Sequence, residues 1–119
     1  MVEEILTPTQ GGVYLAKLDP ARHIEVGKIR PVVILTAPLI LEVLPVILFI
    51  CPLSSRSYPE FSGLHVALPP RDGLQKESFA LVEHCRSISI KRLTPQRIAQ
   101  LTPNELTLIL RRLQRIVGL

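Results

Sequence analysis

The stretch Pro31-Val32-Val33-Ile34-Leu35-Thr36-Ala37-Pro38-Leu39-Ile40-Leu41-Glu42-Val43-Leu44-Pro45-Val46-Ile47-Leu48-Phe49-Ile50-Cys51-Pro52-Leu53 decides how this chain folds. It carries one charge, Glu42, and as a helix it would be long enough to span a bilayer. Its four prolines argue against that helix, because each interior proline costs roughly 3 kcal/mol. Two buried strands, Pro31–Thr36 and Val46–Leu53, joined by a proline-bearing loop, are predicted instead. No membrane association is expected.

Immediately before the first strand stands Arg30. Pro31 biases Arg30 toward extended geometry, and a proline can open a strand because only its own ladder donor is missing. The guanidinium is thereby fixed at the mouth of an apolar strand. Its planar fork matches phosphate oxygens and never loses its charge. The plain alternative for one such residue is a surface arginine at a strand end. Upstream, Gly12-Val13-Tyr14-Leu15-Ala16-Lys17-Leu18 has strand composition and ends at Asp19-Pro20. The polar loop from there to Arg30 carries His23, Glu25 and Lys28, and a loop of that length in a small domain tends to be functional.

Downstream of Leu53 lies a hydroxyl-rich loop with Ser54, Ser55 and Arg56. Leu64–Leu68 alternates as a strand, which would place His65 toward solvent. Asp72-Gly73 signals a turn. Ser78–Ile90 reads as one long strand or a bent pair, with the alternation slipping near His84. Thr94-Pro95 and Thr102-Pro103 each resemble a helix N-cap followed by proline at the first helical position, and Thr102 with Glu105 completes a capping box. Leu106, Ile109, Leu110 and Leu113 then recur at helical spacing, with Arg111, Arg112 and Arg115 on the other, solvated face. Gly118 occupies a C-cap position.

The chain has 119 residues, enough for one domain spanning 1–119, with 1–10 as a loose lead-in. Hydrophobic residues make up 47% but aromatics only 4%, so the core must be Val, Ile and Leu, which favours strands. The predicted fold class is mainly β with α: five to seven short strands forming a small antiparallel β-barrel capped by a C-terminal α-helix. The net charge of +4 suits an anionic partner. Cys51 and Cys85 form no C-x-x-C pair and no signal peptide is recognised. Free buried thiols in a cytoplasmic protein are therefore expected. The histidines lack metal-ligand spacing, so neither metal nor cofactor is expected.

Four segments, in order, carry a family resemblance: Gly12–Pro20, Glu25-Val26-Gly27-Lys28-Ile29-Arg30-Pro31, Pro52-Leu53-Ser54-Ser55, and Glu83-His84-Cys85-Arg86-Ser87-Ile88. Together they resemble the MazF/PemK family of toxin endoribonucleases over nearly the whole chain. The resemblance implies a homodimeric toxin of a type II toxin–antitoxin system, built on an SH3-like or CcdB-like form of the β-barrel. It would cut single-stranded RNA at short sequences without a metal and be neutralised by a cognate, MazE-like antitoxin. Carried onto this sequence, it implies Arg30 and Ser54 as catalytic residues. Ser54 stands where threonine is more usual, and His84 where glutamine commonly follows the acidic residue.

Cutting RNA without a metal uses the 2′-hydroxyl as nucleophile. A proton must leave it, charge on the phosphorane must be balanced, and the departing 5′-oxygen must be protonated. Arg30 suits the charge and Ser54 a hydrogen bond to phosphate. Glu25, Glu83 and His84 are candidates for proton transfer, and Lys28, Ser55, Arg56 and Arg86 for RNA binding. Plainer readings stand beside these: Ser54-Ser55 as a turn, Glu83 with Arg86 as a surface ion pair, His84 as an edge residue, Lys28 as background charge. Two functional alternatives remain: a non-enzymatic CcdB-like barrel that poisons a protein target, and a small RNA-binding module without activity. Discrete RNA fragments formed in EDTA would separate the nuclease from both.

Overall fold

The computed structural model describes residues 7–18, 28–44 and 46–119. Glu25 and His23 lie outside the described residues. Seven strands run β1 (Gly12–Lys17), β2 (Ile29–Ile34), β3 (Ile47–Ser54), β4 (Val66–Leu68), β5 (Ser78–Ala80), β6 (Arg86–Ser89) and β7 (Leu93–Gln100). The α-helices among the described residues are α1 (Pro38–Val43) and α2 (Pro103–Ile116). The pairings are antiparallel in the order β4-β5-β3-β2-β1-β7, with β6 also on β3. β3 serves two partners in succession: Ile47–Ile50 pair with β6, while Leu53 and Ser54 pair with β5. The sheet curls at that change of partner. The predicted β fold with a terminal helix is the one observed, as an open curled sheet.

Side-chain alternation divides the apolar strands between two cores. Val33, Cys51 and Leu53 face one cluster with Ile109 of α2, and Val32, Ile34, Leu48 and Ile50 face the other with Tyr14 and Ile88. This explains why β2 and β3 are apolar on both faces. No helix of the described residues is long and apolar enough to cross a membrane.

The connection after β2 is not the expected loop. Pro38 opens α1, which Leu41 N–H closes on Ala37 O at 3.0 Å and Leu44 N–H on Ile40 O at 2.8 Å. Proline at the first helical position loses a donor that had no partner anyway. The end of the expected lead-in is anchored: Gln10 Nε2 donates to Leu35 O at 3.0 Å, and Gly11, at φ +81°, donates to Ile34 O at 2.7 Å.

Thr94-Pro95 does not start a helix; it lies inside β7. There Tyr14 pairs with Arg97 and Ala16 with Leu93, so Leu15 faces three residues across a bulge. The Thr94 hydroxyl donates to Leu15 O at 3.2 Å, bonding the carbonyl beside a proline that has no N–H. An edge strand with a bulge is where a sheet accepts proline. Thr102-Pro103 does start α2. The Thr102 hydroxyl accepts from Glu105 N–H at 3.2 Å, and Thr102 N–H donates to Glu105 Oε1 at 2.9 Å. Gly118, at φ +81°, ends it.

Candidate nucleic-acid interface

The β2–β3 ladder pairs Ile34 with Ile50, Val33 with Cys51 and Val32 with Pro52, and stops. Both prolines at the stop, Pro31 and Pro52, lack an N–H to continue it. Beyond it, β2 stays on β1 through Arg30↔Ala16, whereas β3 goes to β5 through Ser54↔Phe79. The strands part, and a groove of about 510 Å³ opens where they do. Leu15, Pro31, Leu53, Leu74 and Ile98 supply its apolar lining, and Lys28, Arg30, Ser54, Ser55, Gln75, Lys76 and Ser78 its polar groups.

Arg30 and Ser54, predicted from opposite ends of the long apolar stretch, thus line one groove. Arg30 is half-buried, Ser54 buried. The Ser54 hydroxyl oxygen accepts from Arg56 N–H at 3.1 Å, which leaves its proton for an incoming acceptor. Lys28, at φ +65°, and Ser55 also line the groove. Arg56, Glu83, His84 and Arg86 do not.

The segment 71–78 forms a wall that sequence reasoning missed. Arg71 and Leu74 bridge, with Arg71 N–H on Leu74 O at 2.8 Å, and Asp72 takes φ +44° between them. Gly73 N–H donates to Ile98 O at 2.8 Å, and a Cβ on Gly73 would meet Ile98 at 2.8 Å. Glycine is needed for that close approach. The Arg71 guanidinium grips Glu105 of α2 with two hydrogen bonds. Asp72-Gly73 was the only advance signal, and it gave a turn without saying what the turn would face.

Glu83 has a different partner from the one expected. Its carboxylate meets His65 Nε2 at 2.7 and 2.8 Å, in place of an ion pair with Arg86. His65 is only 7% exposed, not solvent-facing, and packs beneath Tyr58 and Phe61. Glu83 and His84 lie in a 3-10 turn, Val82–His84, that bends the chain between β5 and β6. Behind it, Cys51 and Cys85 are both free. A hydrogen bond with Cys85, and then burial, push the Cys51 thiol well above its ordinary value.

Residues 9–117 match the family of PemK-like, MazF-like toxins of type II toxin–antitoxin systems. The chain belongs to that family. Solved MazF structures share its fold. MazF of Deinococcus radiodurans is 24% identical, superposes with a TM-score of 0.78 and covers 95% of this chain and 98% of its own. The Mycobacterium tuberculosis toxin MazF-mt6 is 19% identical, with a TM-score of 0.74 over 91% of this chain and 97% of its own. A MazE–MazF complex from Deinococcus radiodurans matches at 22% identity and TM-score 0.74, covering 95% and 98%. No curated protein matches the sequence. Within this MazF-like fold the groove lies where the R-P step and the P-L-S step of the sequence converge.

Proposed function

We propose that this MazF-like toxin is a metal-independent endoribonuclease that cuts single-stranded RNA in the groove between β2 and β3. The reading rests on Arg30 and Ser54 lining that one groove, with Lys28 and Lys76 beside them. A phosphodiester lying there meets three cations and a hydroxyl donor. The ribose 2′-oxygen attacks phosphorus, its proton leaves, and the P–O5′ bond breaks. The products are a 2′,3′-cyclic phosphate and a 5′-hydroxyl that gains a proton. Arg30 balances the phosphorane charge, and Ser54 donates to a non-bridging oxygen. The apolar part of the lining lowers the local dielectric and strengthens both interactions.

The partners in this reading are RNA, a MazE-like antitoxin and a second copy of the chain. α1 exposes Leu39, Ile40 and Val43, and the chain after it exposes Leu44, Val46 and Ile47. An apolar patch of this kind on a small protein is suited to burial in a homodimer. The test is to incubate the purified protein with a long single-stranded RNA in EDTA and map the ends. Discrete fragments with 5′-hydroxyl ends are expected. Intact RNA together with toxicity in cells would overturn the reading in favour of a protein-directed poison.

A further inference from the structure

Five aromatic residues serve the whole chain: Tyr14, Phe49, Tyr58, Phe61 and Phe79. Two of them come together immediately after Ser54-Ser55. The Arg56 guanidinium lies 5.2 Å from the centre of the Tyr58 ring. Tyr58 meets the His65 imidazole edge-on at 6.0 Å, and Phe61 meets it at 5.6 Å with a 34° tilt. Phe61 nonetheless keeps 41% of its surface exposed, and Arg56 is exposed above Tyr58.

This cluster is held in place. A 3-10 turn, Pro59–Phe61, is closed by Phe61 N–H on Tyr58 O at 2.9 Å and Ser62 N–H on Pro59 O at 3.1 Å. His65 N–H donates to Phe61 O at 3.0 Å. Beneath the rings, His65 is fixed by both oxygens of Glu83. From α2, Arg115 Nη1 reaches Gly63 O at 3.5 Å. A half-exposed phenylalanine would cost least on a flexible tip, yet here it is displayed on a braced one.

We infer that Arg56, Tyr58 and Phe61 form a stacking platform for a nucleobase flanking the phosphate held by Arg30 and Ser54. The inference rests on the RNA reading of the groove. Single-stranded RNA is gripped by stacking splayed bases on aromatic rings and guanidinium planes. The platform is joined to the groove directly, since Arg56 N–H is bonded to Ser54 Oγ. Tyr58 follows Ser54 by four positions, at most about 14 Å of chain, so a neighbouring nucleotide reaches it. Buried His65, held by the solvent-exposed Glu83, then acts as the platform's support.

The experiment measures binding of a 2′-O-methyl RNA, centred on the mapped cleavage site or of mixed sequence where no cleavage maps, and cleavage of its unmodified counterpart. Tyr58→Leu and Phe61→Leu keep apolar bulk and remove the ring; Phe61→Trp keeps a ring. Thermal unfolding confirms that each variant folds. Each leucine variant should bind roughly 5- to 100-fold more weakly, while Phe61→Trp binds at least as well as wild type. Replacing the flanking nucleotide by an abasic one should weaken wild-type binding similarly and leave the leucine variants no further to fall. Leucine variants within twofold of wild type, or full additivity with every abasic position, would overturn the platform while the nuclease stands. Ring-dependent binding by a wild type that never cuts would uphold the platform and sink the nuclease. Leucine variants that lose only antitoxin binding would reassign the rings to a protein partner and overturn the inference.

Discussion

Arg30 and Ser54 stand at matching positions on β2 and β3, each two residues past the last rung, Val32↔Pro52, of the ladder that joins the strands. One is held by β1 and the other by β5. Their separation is therefore set by two independent pairings and does not depend on a bond between them. A site assembled this way is preorganised by the sheet.

Removing the guanidinium should remove the chemistry and leave the fold. Arg30→Ala is expected to slow RNA cleavage by on the order of a hundredfold or more, with the melting temperature within a few degrees of wild type. Arg30→Lys should recover only part of the rate, because an ammonium does not reproduce the planar fork. Ser54→Ala should cost less than Arg30→Ala. Single-turnover cleavage of a short RNA measures all three.

Glu83 and His65 should behave as a structural pair. Glu83→Gln and His65→Ala are each expected to lower unfolding free energy by about 1 kcal/mol, the net worth of a hydrogen bond whose His65 end is buried and whose Glu83 end is exposed. Chemical denaturation measures this. An unchanged stability with abolished cleavage in Glu83→Gln would return Glu83 to proton transfer.

The Arg71–Glu105 pair predicts a pH dependence. The Arg71 guanidinium, aided by the Thr102 backbone and hydroxyl and opposed by burial, holds the Glu105 carboxyl below its ordinary range. A depressed folded-state pKa contributes stability that is complete above the unfolded value, about 4.3, and is lost as pH falls through the lower folded value. Glu105→Gln should thus cost about 1–2 kcal/mol at pH 7. The gap from wild type should narrow below about pH 4 and vanish in stronger acid. Denaturation midpoints across pH 2–7 check the sign.

Cys51 should resist alkylation in the folded protein. Its raised thiol pKa and complete burial deny a reagent both thiolate and access. Half-buried Cys85 should label first. Mass spectrometry with iodoacetamide before and after denaturation should show Cys51 modified only in the second case.

The exposed α1 patch predicts self-association. Leu39→Asp with Val43→Asp should shift the protein from dimer to monomer in sedimentation without changing its circular dichroism. Equal sedimentation of variant and wild type would remove α1 from the interface.

Local chemistry wrote much of this protein into its sequence. Two central apolar strands were announced by their runs of Val, Ile and Leu, although Pro31 and Pro52 lie inside β2 and β3 and not at their ends; Thr102 with Glu105 announced α2, and Gly118 ended it. Arg30 and Ser54 were legible as candidates through the R-P and P-L-S steps that carry the family resemblance, Arg30 lying inside β2 and Ser54 at the end of β3. Tertiary pairing decided the rest. Pro95 looked like a helix start until β1 supplied a bulge to receive it, and Pro38 looked like loop until it opened α1. His65 alternates like a solvent-facing strand residue, and only the arrival of Glu83 from 18 residues away made its burial tolerable. The wall at 71–78 needed Ile98 and Glu105 beside it before it could face Arg30. Sequence spacing encodes caps, breaks and periodicity because those act over a few residues; which distant segments share a groove depends on strand order, and that is fixed only when the whole core closes.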